Sequence, residues 1–521
     1  MKQKRYFPFL ILLIISTITW IIYYKIYFIG LLWSDSFDYA QIARNIYLGN
    51  GFSTDILRPL SFRYFQYLPH PELIRPPLYP YTLALFFSMF GVNDFSCALS
   101  SGIFFILAIP LLYMLGKEMF KRNDIPLLAV IMVLLNKSIL ELSITCSADM
   151  MYTFSIILIL YIAIKFKDRI FLLGILLGIS YLIRNNTLIF IPVWIIYISE
   201  FSIRRTYINI KNIGIFLSGF FIGISPYFIR NLIIIGNPFF TLYKYSILTY
   251  TKSFHFFDVW RIINPPSPFK LLISNPSELL GKSIFNICRI IFQISPANIF
   301  ILLIVLGGIL IPVYSKKISN IKMLILGMIL IELIIIIPLF LFEMRFIQFL
   351  IPELLLFSSY LILKKRVLIP VIIGLLFYIS PFYLPIFKGI EKSPNPYIEF
   401  GRFVRENTEE SDVIASDLSW AISWYGDRKT VWYPLNYNVI KRIDKKLRID
   451  SIVVTSYILL PDKIPKKAPE WIKKKIAERS YEDKRLWLNL LYNPYNLYMN
   501  FKVKDTFNFG HIYGKLYIKI P

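Results

Sequence analysis

Residues 8–31 read PFLILLIISTITWIIYYKIYFIGL, and after Leu32 they lead into Trp33-Ser34-Asp35-Ser36-Phe37-Asp38-Tyr39-Ala40-Gln41-Ile42-Ala43-Arg44-Asn45. The apolar stretch is long enough to cross a bilayer as one helix. Two carboxylates, Asp35 and Asp38, follow at the membrane's edge. The low-dielectric phase penalises ions there, so charges kept so close to it are candidates for function. Asp35 and Asp38 are three residues apart. If the chain is helical from Asp35 they share a side; one of them could instead cap the helix that runs through Ala43.

The rest of the chain says what surrounds these acids. Of 521 residues 56% are hydrophobic, and the mean hydropathy is +0.59. Further apolar runs fall near 95–116, 124–142, 149–165, 170–184, 186–200, 213–234, 297–314, 321–341, 345–363 and 367–386. With the first, these predict about eleven spans and an all-α polytopic membrane module over 1–387.

The net charge of +25 raises nucleic acid as a partner, but its placement argues against that. Basic residues cluster in alternate gaps: Lys2/Lys4/Arg5, Lys117/Lys121/Arg122, Lys165/Lys167/Arg169, Arg204/Arg205/Lys211, Lys316/Lys317/Lys322 and Lys364/Lys365/Arg366. Short basic loops stay cytoplasmic. An odd number of spans starting inside puts all of these clusters in the cytoplasm and the C-terminus outside. Met1–Arg5 and the run after it resemble a signal peptide, but no small-x-small cleavage site follows, which predicts an uncleaved first span. Cys97, Cys146 and Cys288 make no C-x-x-C and are expected to be small buried residues.

Three segments are expected outside: a first loop at 33–94, a second at 235–296, and a tail at 388–521. In the first, Gln41–Leu48 reads as a short helix ended by Gly49-Asn50-Gly51, and the prolines at 69, 71, 76, 77 and 80 oppose any long helix. The tail carries 24 Lys/Arg against 16 Asp/Glu. It alternates helical runs (Tyr397–Glu406, Val439–Leu447) with β-rich ones (Val413–Ala415, Thr430–Tyr433, Ser451–Thr455). This is the pattern of a small α/β domain.

Four groups of residues carry candidate chemistry. Asp35 and Asp38 fit a general base or a metal-binding carboxylate. Asp149 opens the fourth span on the same outer face, where an acid also suits a helix N-terminus. Arg58 and Arg75, the latter before Pro76-Pro77, fit phosphate contacts, and lipid headgroups are the alternative partner. Arg184, and Glu343 with Arg345, sit at outer ends of spans, where an anionic partner would explain the arginines. His70, His255 and His511 form no ligand-spaced cluster. No P-loop, G-x-G-x-x-G, H-E-x-x-H or G-x-S-x-G occurs, which argues against a soluble nucleotide donor.

The ordered set Asp35–Asn45 with Gly49-Asn50-Gly51-Phe52, Arg75-Pro76-Pro77-Leu78-Tyr79-Pro80, Gly174–Arg184, Arg230-Asn231 with Gly236-Asn237-Pro238, and Glu343-Met344-Arg345-Phe346 before Pro352 resembles the GT-C superfamily of polytopic glycosyltransferases. Within it the chain is similar to the branch of protein O-mannosyltransferases and lipid A aminoarabinose transferases. The resemblance implies a polyprenyl-phosphate sugar donor and an outer-face reaction that inverts the anomeric carbon. It places the first-loop catalytic acid on Asp35 and the second acidic position on Asp149. Relatives often have an acid after the first Asp; here it is Ser36, which leaves the division of labour between Asp35 and Asp38 open.

The expected enzyme is thus a membrane glycosyltransferase. Asp35 takes the acceptor proton with a pKa raised by the nearby lipid, and Arg58, Arg75, Arg184 and Arg345 contact the donor phosphate. The acceptor is a lipid, glycan or protein. A divalent ion, magnesium or manganese, bridging Asp35 and Asp149 is an open option. The competing readings are a lipid-linked sugar polymerase or ligase, a flippase or transporter, and an assembly scaffold. A transporter predicts midplane charges and repeated halves, and no repeat is visible.

Overall fold

The computed structural model describes residues 3–166, 168–199, 209–254, 257–293, 315–336, 339–340, 345–365, 393–459, 487–492, 497–498, 500–509 and 511–520. The expected spans at 297–314 and 367–386, together with Lys167, Arg204, Arg205, His255, Glu343 and Arg366, lie outside these residues, as does the side chain of Cys288.

The described chain is mostly helical. Four helices are long and apolar enough to cross a membrane: Pro8–Tyr27, Asp94–Phe120, Ile210–Ile235 and Ile318–Ile336. The expected span at 124–142 is instead two helices, Asp124–Leu134 and Lys137–Ile144, bent by 63°. Asn136 makes the break: its side chain accepts a hydrogen bond from the Ile139 amide at 3.1 Å and so starts a new helix. Asp149–Lys165 is a helix of 17 residues, and Ile170–Tyr181, Asn185–Ile198 and Leu78–Phe90 are shorter apolar helices.

The last of these was unexpected. Pro76, Pro77 and Pro80 do not break it but stand at its entrance and first turn, where a missing N–H costs nothing. Helices Ile170–Tyr181 and Ile210–Ile235 pack backbone to backbone. A Cβ on Gly174 would lie 2.1 Å from the Phe216 carbonyl oxygen, and one on Gly223 would lie 2.5 Å from that of Ile175. The two Gly-x-x-x-Gly pairs, Gly174/Gly178 and Gly219/Gly223, thereby replace side-chain packing with close backbone approach.

The C-terminal region is a mixed sheet with helices. Val413–Ser416, Lys429–Trp432 and Ser451–Thr455 are parallel and almost wholly buried. Ile512–Lys519, Phe501–Phe509 and Leu497–Tyr498 extend the sheet antiparallel. These central strands and the helices Pro396–Asn407 and Tyr437–Leu447 fall where periodicity placed them, to within a few residues. The far edge strand was not foreseen: Ile56–Leu57, from the first loop, pairs in parallel with Thr430–Val431. The first loop and the C-terminal region therefore share one sheet.

Candidate active site

The helix after the first span runs Ser34–Tyr47 and begins one residue before Asp35. It ends before Gly49 and Gly51, which adopt φ of +85° and +69°, as the sequence suggested. Its N-cap is Trp33, with no side-chain cap. Neither aspartate is therefore a cap. Both lie inside the helix and, three residues apart, face the same way.

What they face is Arg75, delivered by the turn before Pro76. Its Nη2 donates to Asp35 and, at 2.8 Å, to Asp38. Its Nε donates to Asp38 at 3.2 Å. Glu72 fixes that turn, accepting from the Ile74 and Arg75 amides at 2.6 and 2.9 Å. Arg345 forms a second ion pair with Asp35. Asp38 is buried, and its Oδ2 also accepts from Arg58 Nη2 at 2.5 Å, while Oδ1 has no partner.

Across from this helix, Asp149 starts helix Asp149–Lys165 and pairs with Arg184 Nη1 at 2.6 Å. Arg184 lies over the rings of Tyr152 and Phe346, and such faces favour a cation.

These groups line one cleft of about 550 Å³, part of it open solvent. Its charged lining is Asp35, Arg75, Asp149, Arg184 and Arg345; Tyr39, Asn185, Asn186, Tyr243 and Phe346 complete the polar and aromatic wall. The structure thus brings together five of the eight residues singled out from sequence, of which Glu343 lies outside the described residues. Asp38 and Arg58 are not part of the lining: they sit behind Arg75, as its support. The sequence reading gave no role to Asn185 and Asn186, although both directly follow Arg184. Asn185 has a buried Oδ1 without a hydrogen-bond partner.

The electrostatics correct one expectation. Burial pushes the Asp35 carboxyl up, but the charges of Arg345 and Arg75 and their hydrogen bonds outweigh it and hold Asp35 well below the usual carboxylate range. The lipid-raised pKa expected from sequence is therefore not found: position beside a membrane counts for less than two guanidinium groups in contact. Burial pushes the Tyr39 hydroxyl up to about 12, so it stays a neutral donor. His70 is pushed down to about 4 by burial and its Nδ1 lies 2.8 Å from the Pro71 carbonyl oxygen; it is a packed neutral imidazole.

A divalent ion bridging Asp35 and Asp149 does not fit this donor set. Every carboxylate in the cleft already faces a guanidinium, and a cation would have to displace it. Among the described residues no three His, Cys, Asp or Glu side chains gather around a common point.

Comparison with known proteins bears on the same segment. Residues 74–229 match the family described as dolichyl-phosphate-mannose-protein mannosyltransferase. That stretch carries Arg75, Asp149 and Arg184, and it bears out the resemblance read from sequence. No match is found among curated proteins. Two crystal structures of ArnT from Cupriavidus metallidurans are similar to the chain at 10% identity, one bound to undecaprenyl phosphate (TM-score 0.47) and one in the apo state (TM-score 0.42). Each alignment covers 87% of this chain and 94% of the other.

Proposed function

We propose that this membrane glycosyltransferase moves a sugar from a polyprenyl-phosphate donor to an acceptor hydroxyl, as the match of residues 74–229 to a family named for a dolichyl-phosphate sugar supports. The reaction takes place at the outer face of the membrane, with inversion. The supporting observation is the cleft itself, where Arg75, Arg184 and Arg345 converge beside Asp35 and Asp149.

Each residue has a task in this reading. The donor's phosphate is an anion buried near lipid, and arginines bind it in a bidentate fork. As the sugar–phosphate C–O bond breaks, the electron pair stays on the phosphate oxygen, and charge builds where Arg184 and Arg345 stand. The acceptor oxygen attacks the anomeric carbon from the opposite face, and its proton passes to Asp35.

The depressed pKa of Asp35 then acquires a meaning. At rest the carboxylate is ionised but a weak base, because guanidinium groups hold it. A bound phosphate competes for the same guanidiniums. As Arg75 and Arg345 turn toward it, Asp35 loses part of their field and its basicity rises. Donor binding so arms the base, and an empty site does not waste it. A lipid-linked donor carries its own leaving group, which accords with the lack of any nucleotide-binding motif.

The reading is tested by reconstituting the full-length protein in vesicles with a radiolabelled polyprenyl-phosphate hexose and a lipid or peptide acceptor. Label moving to acceptor with release of polyprenyl phosphate is the expected result. Label that only crosses the bilayer, still on its lipid, would establish a flippase instead.

A further inference from the structure

The C-terminal region grips the Asp35 helix at both ends. On the N-terminal side, the Leu31 amide donates to the Tyr425 hydroxyl at 2.9 Å, and the Leu31 carbonyl accepts from Asn395 Nδ2 at 3.0 Å. Both tail groups crowd Gly30, whose φ is +110°: a Cβ there would lie 2.6 Å from the Asn395 amide nitrogen and 2.8 Å from the Tyr425 oxygen. Tyr425 is itself held, donating to Asp94 Oδ2 at 2.7 Å, while Trp424 Nε1 donates to Asp94 Oδ1 at 2.9 Å.

On the C-terminal side, Arg44 closes the grip. Its Nη2 donates to the Ser423 carbonyl at 2.7 Å and its Nη1 to the Trp424 carbonyl at 3.3 Å. It pairs with Asp427 at 2.7 Å and lies 3.6 Å from Asp55. The chain leaving the helix then becomes the edge strand of the tail's sheet, with the Thr430 amide donating to the Asp55 carbonyl at 2.8 Å. Between the two ends, Phe37 packs edge-on against both Tyr397 and Tyr425.

From this arrangement we infer that the C-terminal region is a clamp that sets the angle of the Asp35 helix against the arginines of the cleft, and that Arg44 and Tyr425 are its positioning residues. Neither lines the cleft. They act on Asp35 through the helix that carries it, and the inference rests on the proposed role of Asp35. The two ends lie either side of Asp35 and Asp38, so releasing either one lets the helix pivot. A displacement of the order of 1 Å at a reacting group costs up to about 100-fold in rate. A tail serving as a lid or as an acceptor platform would need none of these bonds to the helix's flanks.

The test uses full-length protein carrying Tyr425→Phe, which keeps the ring and removes only the bridging hydroxyl, and separately Arg44→Met. Each is compared with wild type and with Asp35→Asn, by thermal unfolding in detergent and by transfer rate against pH. With the clamp, both variants remain folded, kcat falls about 10- to 100-fold, and a carboxylate limb that wild type lacks above about pH 5 enters the rate profile as Asp35 drifts from Arg75 and Arg345. A fraction of unfolded enzyme would lower the rate but add no such limb. Wild-type kcat and no new limb in both variants, with Asp35→Asn inactive, overturn the clamp and leave the role of Asp35 standing. An active Asp35→Asn enzyme overturns both.

Discussion

Arg75 and Asp35 are partners in a pair that is itself shared: the same Nη2 that meets Asp35 also donates to Asp38 at 2.8 Å. A single guanidinium thus ties a carboxylate in the cleft to one buried behind it. Arg58 donates to the same Asp38 oxygen at 2.5 Å. The order runs from Arg58 through Asp38 and Arg75 to Asp35, and it ends at Arg345.

Asp38 is the member of this chain whose loss should do most damage to the fold. Its side chain is 1% exposed, and Arg58 and Arg75 are 8% and 17% exposed. Asp38→Asn leaves two largely buried cations short of their counter-charge, and breaking a buried pair in this way costs about 3–5 kcal/mol. Thermal unfolding in detergent should show a clear drop in midpoint. An unchanged midpoint would mean that water already screens the pair.

The arginines divide by task. Arg345→Ala and Arg184→Ala each remove a cation from the cleft wall and leave Arg75 and Asp38 in place. Losing one preorganised donor to a developing charge costs about 10²–10³ in kcat. Donor KM should rise in both. An equal loss from Arg58→Lys without loss of stability would contradict the placement of Arg58 behind the cleft.

The pH dependence carries a sign. Arg345 and Arg75 depress the folded-state pKa of Asp35 below its ordinary value, near 3.9 in an unfolded chain. A depressed carboxylate is ionised, and contributes its stability, above the unfolded value. That contribution is lost only as pH falls through the lower folded value. The kcat/KM of the free enzyme should therefore show no carboxylate limb between pH 7 and about pH 5. A limb in that window would mean that Asp35 titrates as it would without its arginines.

Chelation makes a further distinction. The cleft's carboxylates are neutralised by guanidiniums, so transfer should continue after EDTA treatment and should not rise with added magnesium or manganese. Activity that vanishes with EDTA and returns with one of these ions would show that the arginines give way to metal.

Much of this architecture is legible in the sequence where the signal is local. Apolar length finds the helices Pro8–Tyr27, Asp94–Phe120 and Ile210–Ile235. β-Branched runs find Ser451–Thr455, and glycines mark the end of the Asp35 helix. Charges kept at span ends name four of the groups that line the cleft, and the proline turn after Arg75 names the fifth. Other features depend on distant chain and leave no such trace. Two residues, Ile56 and Leu57, are too few to show a strand's alternation, and their partner lies over 370 positions away.

The break at Asn136 lies inside a run that is otherwise apolar, and the Asn136-Lys137 pair is its one local signal. Leu78–Phe90 is not legible because prolines at a helix entrance and prolines that break a helix look alike until the turn before them is known. The depressed pKa of Asp35 is hidden from the sequence for a similar reason. Membrane proximity is readable from sequence, whereas contact with Arg75 and Arg345, 40 and 310 positions on, appears only in three dimensions.

The most direct measurement is sugar transfer from a polyprenyl-phosphate donor by purified Asp35→Asn protein. Asn keeps the side chain's shape and one acceptor oxygen but cannot take a proton from the acceptor. The account requires transfer to fall by about 10²–10⁴-fold, with the protein still present in the membrane at wild-type level. Transfer at close to the wild-type rate would contradict it, and the base would have to be sought elsewhere, first at Asp149.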